Sequence, residues 1–406
     1  MSISSFSEIS NPPRVRARES QPRTGRPGIC FGVPFFPKYF PGGAEIQSYF
    51  IARHMLGRGW SVHFTTEDCG QPTARLQNED GILVHKLKMT RFFNPIRCWN
   101  FYRELVRMNA DIYYQRGGTE YTFATALAAR TVGGKFIWGT STFRDCEGNK
   151  FRRSVRDEGA VRVKKLVLLL DAWLRDWLIS LGRKRADVIV VQSEEQKARM
   201  KQKLNEESLV IKSGHAIPDS PVRKASPPTV VWIANVKRLK RPEAFIKLAA
   251  ACADLPAEFL LVGGCMNPSY HRQLQNLSRG STNLSLLGQV SFPETNNLLA
   301  EASVLVNTST REGFPNTFVQ AWLRETPVVS LSVDPDGVLV RKKLGFCSKT
   351  FSQMVKDVRR LIADPSLGEE IGLRAKAYAI KEHNLSEKLK QYADLFEALY
   401  HESRMV

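Results

Sequence analysis

One pattern restricts this chain more than any other. Short apolar runs alternate with helical patterns, and the series occurs twice, on either side of a proline-rich stretch. In the first series Ile29-Cys30-Phe31-Gly32-Val33 has the length and composition of a buried strand. A loop ending in Gly42-Gly43 follows, and over residues 44–56 Ile46, Phe50, Ile51 and Met55 recur at helical spacing. Gly57 and Gly59 close that helix before Ser61-Val62-His63-Phe64, the next strand. Residues 81–86, 111–114, 135–138 and 187–192 are further strand candidates, with helical patterns between most of them. In the second series residues 230–233, 259–262, 304–306 and 328–331 read as strands, and 242–253, 269–279, 293–302 and 316–324 as helices. Alternation of this kind predicts parallel, doubly wound α/β sheets.

Residues 217–229 hold Pro218, Pro221, Pro227 and Pro228 and few apolar residues, and read as a linker. The expected division is a disordered basic arm over 1–26, a Rossmann-like domain over 27–216, the linker, a second Rossmann-like domain over 230–380, and an amphipathic helix within 381–406. A length of 406 residues fits two or three domains.

The formal charge of +19 is uneven. Residues 1–225 carry 37 Lys and Arg against 22 Asp and Glu, and the remainder 22 against 18. A basic half suits nucleic acid, anionic lipid headgroups or an anionic small molecule, and equally plain solubility. A nucleic-acid binder would interleave aromatic and basic residues on an exposed strand platform; no such interleaving is present, so no nucleic-acid partner is expected. The seven Cys are scattered without C-x-x-C spacing, which excludes a disulfide framework and a zinc site and fits a reducing cytoplasm. The seven His lack metal-binding spacing; of these, His215 is placed just before the linker and reads as cleft-facing, core or surface. No run reaches 18 uninterrupted apolar residues, and residues 1–26 lack the apolar core of a secretory signal.

The most informative segment is residues 312–322, EGFPNTFVQAW, between two strand candidates. In open α/β sheets ligands bind where strands end and helices begin. Pro315 suits the first turn of a helix, and the free N–H groups there attract phosphate. Glu312 precedes the helix and could accept from sugar hydroxyls, and Gln320 is about two turns along it. Taken singly, the segment is equally a capped turn with a surface Glu. Two further segments join it. Residues 259–264, FLLVGG, run a strand into Gly263-Gly264, where glycine permits close approach of a ligand. Residues 232–243, WIANVKRLKRPE, place Lys237, Arg238, Lys240 and Arg241 between a strand and a helix start, which suits a diphosphate and also a solvated basic loop.

Together with Pro41-Gly42-Gly43-Ala44-Glu45, residues 186–193 and residues 311–316, these segments resemble the family 4 glycosyltransferases, retaining enzymes of the GT-B fold. The Gly313–Phe318 run with Gln320-Ala321-Trp322 and Val333-Asp334-Pro335-Asp336-Gly337 resembles a bacterial polysaccharide-biosynthesis branch. The resemblance implies two Rossmann-like domains facing each other across a cleft. It implies a nucleotide sugar, UDP- or GDP-linked, as donor and a saccharide or lipid-linked acceptor. By the same resemblance Glu312 holds the donor sugar's hydroxyls, Gly313 and Phe314 offer backbone N–H groups, and Asn316 and Thr317 lie near the diphosphate. Position 320 contacts the ribose, Lys240 pairs with the leaving diphosphate, and Gly43 beside Gly42 makes room for it from across the cleft. No cofactor or metal is implied, since Lys and a helix dipole take the metal's place; Asp334-Pro335-Asp336 is the nearest approach to a D-x-D triplet. The reaction implied is front-face displacement with retention, the diphosphate itself taking the acceptor's proton.

Four positions depart from the family pattern. Gln320 replaces the usual Glu. Asn235 stands where an Arg often binds phosphate, leaving Arg238 or Lys237 as substitutes. Residues 334–337 replace a glycine-rich turn. The frequent cleft His is absent from residues 139–145, GTSTFRD, where Asp145 or Thr142 faces the acceptor or, for Asp145, serves only as a turn residue.

Residues 152–185 carry ten Lys and Arg and four Asp and Glu. Within them Val163, Leu166, Val167, Leu170, Trp173, Leu174, Trp177, Leu178 and Leu181 recur at helical spacing. Such a helix can pack on the first domain, lie on an anionic membrane, or do both. Asp171 and Asp176 exclude spanning. A cytoplasmic protein, peripheral on the membrane's inner face, is the expectation.

Overall fold

The computed structural model describes residues 25–33, 35–38, 42–67, 76–87, 93–157, 162–218 and 222–405. The basic arm expected over 1–26 falls outside them apart from its last two residues, as does Pro221 of the linker.

The first series runs β1 (Gly28–Gly32), α1 (Gly43–Gly57), β2 (Ser61–Glu67), β3 (Leu76–Glu79), β4 (Ile82–Leu87), α2 (Pro95–Met108), β5 (Ile112–Arg116), α3 (Thr122–Val132), β6 (Lys135–Gly139), α4 (Lys150–Asp157), α5 (Arg162–Arg183), β7 (Val188–Val191), α6 (Glu194–Leu204) and β8 (Leu209–Val210). The second runs β9 (Thr229–Ile233), α7 (Pro242–Ala251), β10 (Glu258–Val262), α8 (Pro268–Ser278), β11 (Leu284–Gly288), α9 (Phe292–Glu301), β12 (Val304–Asn307), α10 (Asn316–Trp322), β13 (Val328–Ser330), α11 (Val338–Arg341), β14 (Gly345–Cys347), α12 (Phe351–Ala363), α13 (Pro365–His383) and α14 (Leu385–Met405). Among the described residues these strands form two sheets, ordered β3-β4-β2-β1-β5-β6-β7-β8 and β11-β10-β9-β12-β13-β14. Every pairing is parallel except β3 with β4, whose connecting Asp80 and Gly81 both have positive φ, 52° and 88°, as a two-residue hairpin requires.

Both sheets are covered on both faces, so their central strands are buried and mostly apolar, with polar residues towards their carboxyl ends. Ile29 and Phe31 point into one layer and Cys30 into the other; in the second sheet Val230 and Trp232 point one way and Val231 the other. Strands β11 and β14 stand at the edges and are only half covered, which is why their sequences show no apolar run. The last helix returns to the first sheet: Tyr392, Ala393, Phe396 and Leu399 join the layer around Phe31, and Phe396 lies 5.8 Å from the Tyr114 ring. Arg58 of the first domain and Glu397 close this contact at its surface, 2.8 Å apart.

The long helix α5 packs on the first domain, one of the alternatives left open by its sequence. Its packed face is not the apolar one: Ala172, Asp176, Ile179 and Arg183 are buried, while Leu166, Val167, Leu170, Trp173 and Trp177 face solvent.

Candidate functional site

In the first sheet the strand order reverses between β1 and β5, and in the second between β9 and β12. The connections leaving such neighbouring strands diverge to opposite faces and leave a crevice at their carboxyl ends. The segments singled out by sequence emerge at these two points. Gly42-Gly43 follows β1, and Arg116-Gly117-Gly118 ends β5. The Lys240 turn follows β9, and the Glu312 loop follows β12.

On the second domain the two loops are tied together. Trp232 Nε1 donates to Thr308 Oγ1 at 2.8 Å, and Thr308 Oγ1 donates to the Lys240 carbonyl at 2.7 Å. Thr310 N donates to the Leu239 carbonyl at 3.1 Å. This lacing brings the Lys240 ammonium onto Glu312 Oε1, which also accepts from Ser309 Oγ at 2.6 Å. Both groups are partly open to the cleft, with side-chain exposures of 22% for Lys240 and 14% for Glu312. The residues expected to hold sugar and diphosphate are thus direct partners of each other.

The remaining donor-side residues divide. Gly313 is buried at the domain contact, where a Cβ would lie 3.0 Å from both Gln196 Nε2 and the Ser141 carbonyl. The Phe314 ring packs inward, 4.8 Å from the His383 ring, which leaves only its backbone for a ligand. Pro315 is the residue before the first helical one rather than part of the first turn, and α10 spans seven residues, ending at Trp322. Asn316 reaches across the cleft: Nδ2 donates to the Gly43 carbonyl at 3.1 Å, and Oδ1 lies 3.4 Å from His215 Nε2. Thr317 is half-buried beside it. Gln320 is buried, its amide donating to Asn296 Oδ1 at 3.0 Å. Arg238 lies over the Tyr270 ring at 4.7 Å, while Asn235 and Lys237 are exposed. Gly263 has φ 149°, and a Cβ on it would meet the Ala234 carbonyl at 1.8 Å. Its missing side chain therefore makes room for the protein's own backbone, not for a ligand. Gly264 is likewise covered by Gln289.

On the first domain Gly43 begins α1, and a Cβ on it would fall 2.5 Å from Asn316 Nδ2, so the two domains meet at this glycine. Asp145 is fully enclosed in its loop. It accepts from Ser141 N at 2.8 Å, Thr142 N at 2.9 Å and Gly118 N at 3.1 Å, and from Lys150 Nζ at 2.9 Å. Burial opposes its charge, but Lys150 and the loop amides outweigh burial and hold the carboxyl below its usual range. Asp145 and Thr142, whose N–H and hydroxyl both go to that carboxylate, form the loop rather than facing an acceptor. His215 is buried, and burial brings its pKa down to about 4, so it is neutral. Of Asp334 and Asp336, the first accepts from Leu339 N at 2.8 Å and the second from Glu195 N at 2.8 Å across the domain contact. The two carboxylates are each spent on a helix start.

Three groups that sequence reasoning passed over converge here. Arg116, 3% exposed, bonds Ser213 Oγ at 3.2 Å, and its Nε and Nη1 have no partner among the described residues. Burial pushes the Glu45 carboxyl up, while Arg116, Lys237 and Lys150 act on it in the opposite sense. Arg116, Lys237 and Lys150 thus all lie within electrostatic reach of Glu45, although Lys150 is itself bonded to Asp145. A sequence signal existed: a charged residue ending a fully buried strand, followed by two glycines. Nearby, a cavity of about 50 Å³ opens at the carboxyl ends of β1, β2 and β5, lined among others by Gly32, Thr66, Arg97, Gln115 and Glu120. Thr66 Oγ1 and Gln115 Oε1 are buried there without a partner among the described residues.

Comparison with known proteins follows the same geometry. Residues 227–364 match the family described as Glycosyl transferases group 1. That match spans about a third of the chain, the part that holds Lys240, Glu312 and the two interlaced loops. A curated relative, Glycosyltransferase 1 domain-containing protein 1 of Xenopus tropicalis, is 22% identical over 157 residues, 38% of this chain and 46% of that protein; the chain thus matches less than half of that relative's length. Sucrose-phosphate synthase from Thermosynechococcus elongatus superposes with a TM-score of 0.72 at 15% identity, over 93% of this chain and 100% of that one. Anabaena HepE, solved in complex with UDP and glucose, superposes with a TM-score of 0.66 at 16% identity, over 92% of this chain and 100% of that one. The fold is GT-B.

Proposed function

We propose that the protein is a retaining glycosyltransferase that moves a hexose from a UDP- or GDP-linked donor to a saccharide or lipid-linked acceptor in cell-surface polysaccharide or glycoconjugate synthesis, on the cytoplasmic side. The observation that carries this reading is the Lys240–Glu312 pair at the crevice of the second sheet, with Asn316 of the following helix start bonded to Gly43 across the cleft. The HepE complex, a neighbour in fold with UDP and glucose bound, supports it.

In this reading Glu312 Oε1 stays on Lys240 and Ser309, and the carboxylate's second oxygen accepts from the sugar. Lys240 places its charge beside the diphosphate as the sugar–phosphate bond breaks, which is stabilisation of charge that develops in the transition state. A diphosphate oxygen takes the acceptor hydroxyl's proton, so no side-chain nucleophile is needed. Gln320 favours a second reading, a catalytically weak or non-catalytic nucleotide binder, because its amide is held by Asn296.

Thermal unfolding with UDP, GDP or ADP, each with EDTA, separates the two when paired with turnover. Ligand at a hundred times Kd adds about 2.7 kcal/mol of stability. The expected result is a rise of a few degrees in Tm with one nucleotide, and loss of sugar transfer but not of that rise in Glu312→Ala. A rise with no transfer from any matching sugar nucleotide establishes the second reading; no rise with any nucleotide overturns both.

A further inference from the structure

Helix α5 is amphipathic in the wrong sense for a helix packed on a protein. Its inward face carries the ion pairs: Arg175 bonds Asp171 at 2.8 Å and Glu120 at 3.1 Å, and Asp176 takes Arg152 Nε at 3.0 Å. Gly182 seals that face, since a Cβ there would strike the Thr122 backbone at 2.4 Å. Its outward face carries the hydrophobic residues. Leu166, Leu170, Trp173 and Trp177 follow one another by four, three and four residues and are 66%, 62%, 52% and 48% exposed, with Val167 beside them at 62%. The two indoles stack with planes 6° apart. Phe93 N, at the entry to α2, donates to Asp171 Oδ1 at 3.0 Å, so α2, with Ile96 70% and Trp99 47% exposed, borders the same surface. A contiguous apolar surface of this kind marks a docking site.

Charge decides what docks. The four acids of residues 152–185 include Asp171 and Asp176, both neutralised inward, whereas the bases Arg156, Lys184 and Arg185 are exposed and Arg162, Lys164 and Lys165 belong by sequence to the first turn of α5. A second copy of the chain would set this basic rim against itself, and the chain's own residues 1–24 carry Arg14, Arg16, Arg18 and Arg23 against Glu8 and Glu19. An anionic surface complements it. Among the described residues no helix is long and apolar enough to cross a membrane. We propose that the exposed Leu166–Trp177 face of α5, with the start of α2, docks the protein in-plane on an anionic lipid bilayer, the tryptophans at the headgroup level and the basic side chains on the phosphates. Glu120, which Arg175 holds from α5, lines the cavity at the end of the first sheet, so a docked α5 sets that crevice one helix layer from the lipid.

The test is sedimentation with vesicles of phosphatidylcholine containing 30% phosphatidylglycerol, against phosphatidylcholine alone, at low and at 0.5 M salt and without nucleotide, so its result is independent of sugar transfer. Full-length protein is expected to pellet with the anionic vesicles about tenfold more than with neutral ones, and to release in salt. Trp173→Ser/Trp177→Ser is expected to weaken binding about tenfold with unchanged Tm. Lys184→Glu/Arg185→Glu, a change at two exposed side chains of which Arg185 also stands over the Phe123 ring, is expected to weaken binding to anionic vesicles while leaving apolar contact intact, and serves if the tryptophan variant unfolds. No binding to anionic vesicles overturns the proposal. So does wild-type binding by both variants, or a concentration-dependent dimer that the tryptophan variant abolishes in protein that ignores vesicles.

Discussion

Lys240 and Asp145 look alike on paper, each a charged side chain paired with an opposite charge near the cleft, but their surroundings assign them different work. Lys240 is partly open and its partner Glu312 has a second contact in Ser309, so neither charge is stranded when the other is removed. Asp145 has no exposed side-chain surface and collects four backbone or ammonium donors. Removing it leaves those donors buried and unpaired, a cost of roughly 3–5 kcal/mol. Lys240→Ala is therefore expected to lower kcat by about 10²–10³-fold with Tm nearly unchanged. Asp145→Ala is expected to lower Tm by many degrees. Steady-state kinetics beside thermal unfolding on both variants checks this. Lys240→Ala with wild-type turnover would remove it from the reaction, and a stable Asp145→Ala would remove the loop-forming role.

The connection between the domains is built at the element scale from a short strand-like bridge and α14. His215 N donates to the His383 carbonyl at 2.8 Å, and Leu385 N to the His215 carbonyl at 3.1 Å. Burial brings the imidazole pKa of His215 down to about 4 and of His383 to about 3. The unfolded chain takes up protons on these rings near 6.5, while the folded one resists. Stability from each is thus complete above about pH 6.5 and is lost as pH falls towards 4. At pH 5 the loss is about 2 kcal/mol per ring relative to pH 8. Urea unfolding of wild type and His383→Gln at both pH values should show a smaller pH difference in the variant; equal differences would mean His383 is solvated. The sequence shows the strands of both sheets and most helices because these elements are buried on predictable faces. It does not show β3, β11, β14 or the two-residue β8, which have little to bury. Arg116 is marked in the sequence only as a charge ahead of two glycines, and its role depends on Ser213 and Glu45, distant in the chain. Residues 312–320 are conspicuous in the sequence because strand, proline and helix abut locally. That Gln320 is held by Asn296, and that Gly263 answers to the Ala234 carbonyl, are consequences of packing between elements. The apolar periodicity of α5 is plain, but which side faces outward depends on where Asp176 finds Arg152.

At the scale of the whole molecule polar contacts join the domains at several separate places. Besides Asn316 with Gly43, α14 with the first sheet, Lys212 with Glu382 at 2.7 Å and His383 with the Ser213 carbonyl at 2.8 Å, Asp336 joins the two domains. Its carboxylate accepts from Glu195 N at 2.8 Å and Glu194 N at 3.3 Å, sitting at the N-terminus of α6 where the helix dipole favours a negative charge. Arg311 and Glu147 add an ion pair at 3.7 Å with Arg311 half exposed, which is worth little. Asp336 itself has φ 53°, so Asp336→Gly removes the carboxylate while relieving rather than adding backbone strain. The helix–charge contact contributes about 1 kcal/mol, enough to shift an open–closed balance about fivefold. Small-angle scattering of Asp336→Gly is expected to give a larger radius of gyration than wild type without nucleotide, and saturating nucleotide is expected to bring the two together. A ligand held by Lys240 on one side and by Arg116 and Gly43 on the other supplies in binding what Asp336 supplies in its absence. A variant with the wild-type radius throughout would mean that α14 and Asn316 set the closed arrangement by themselves.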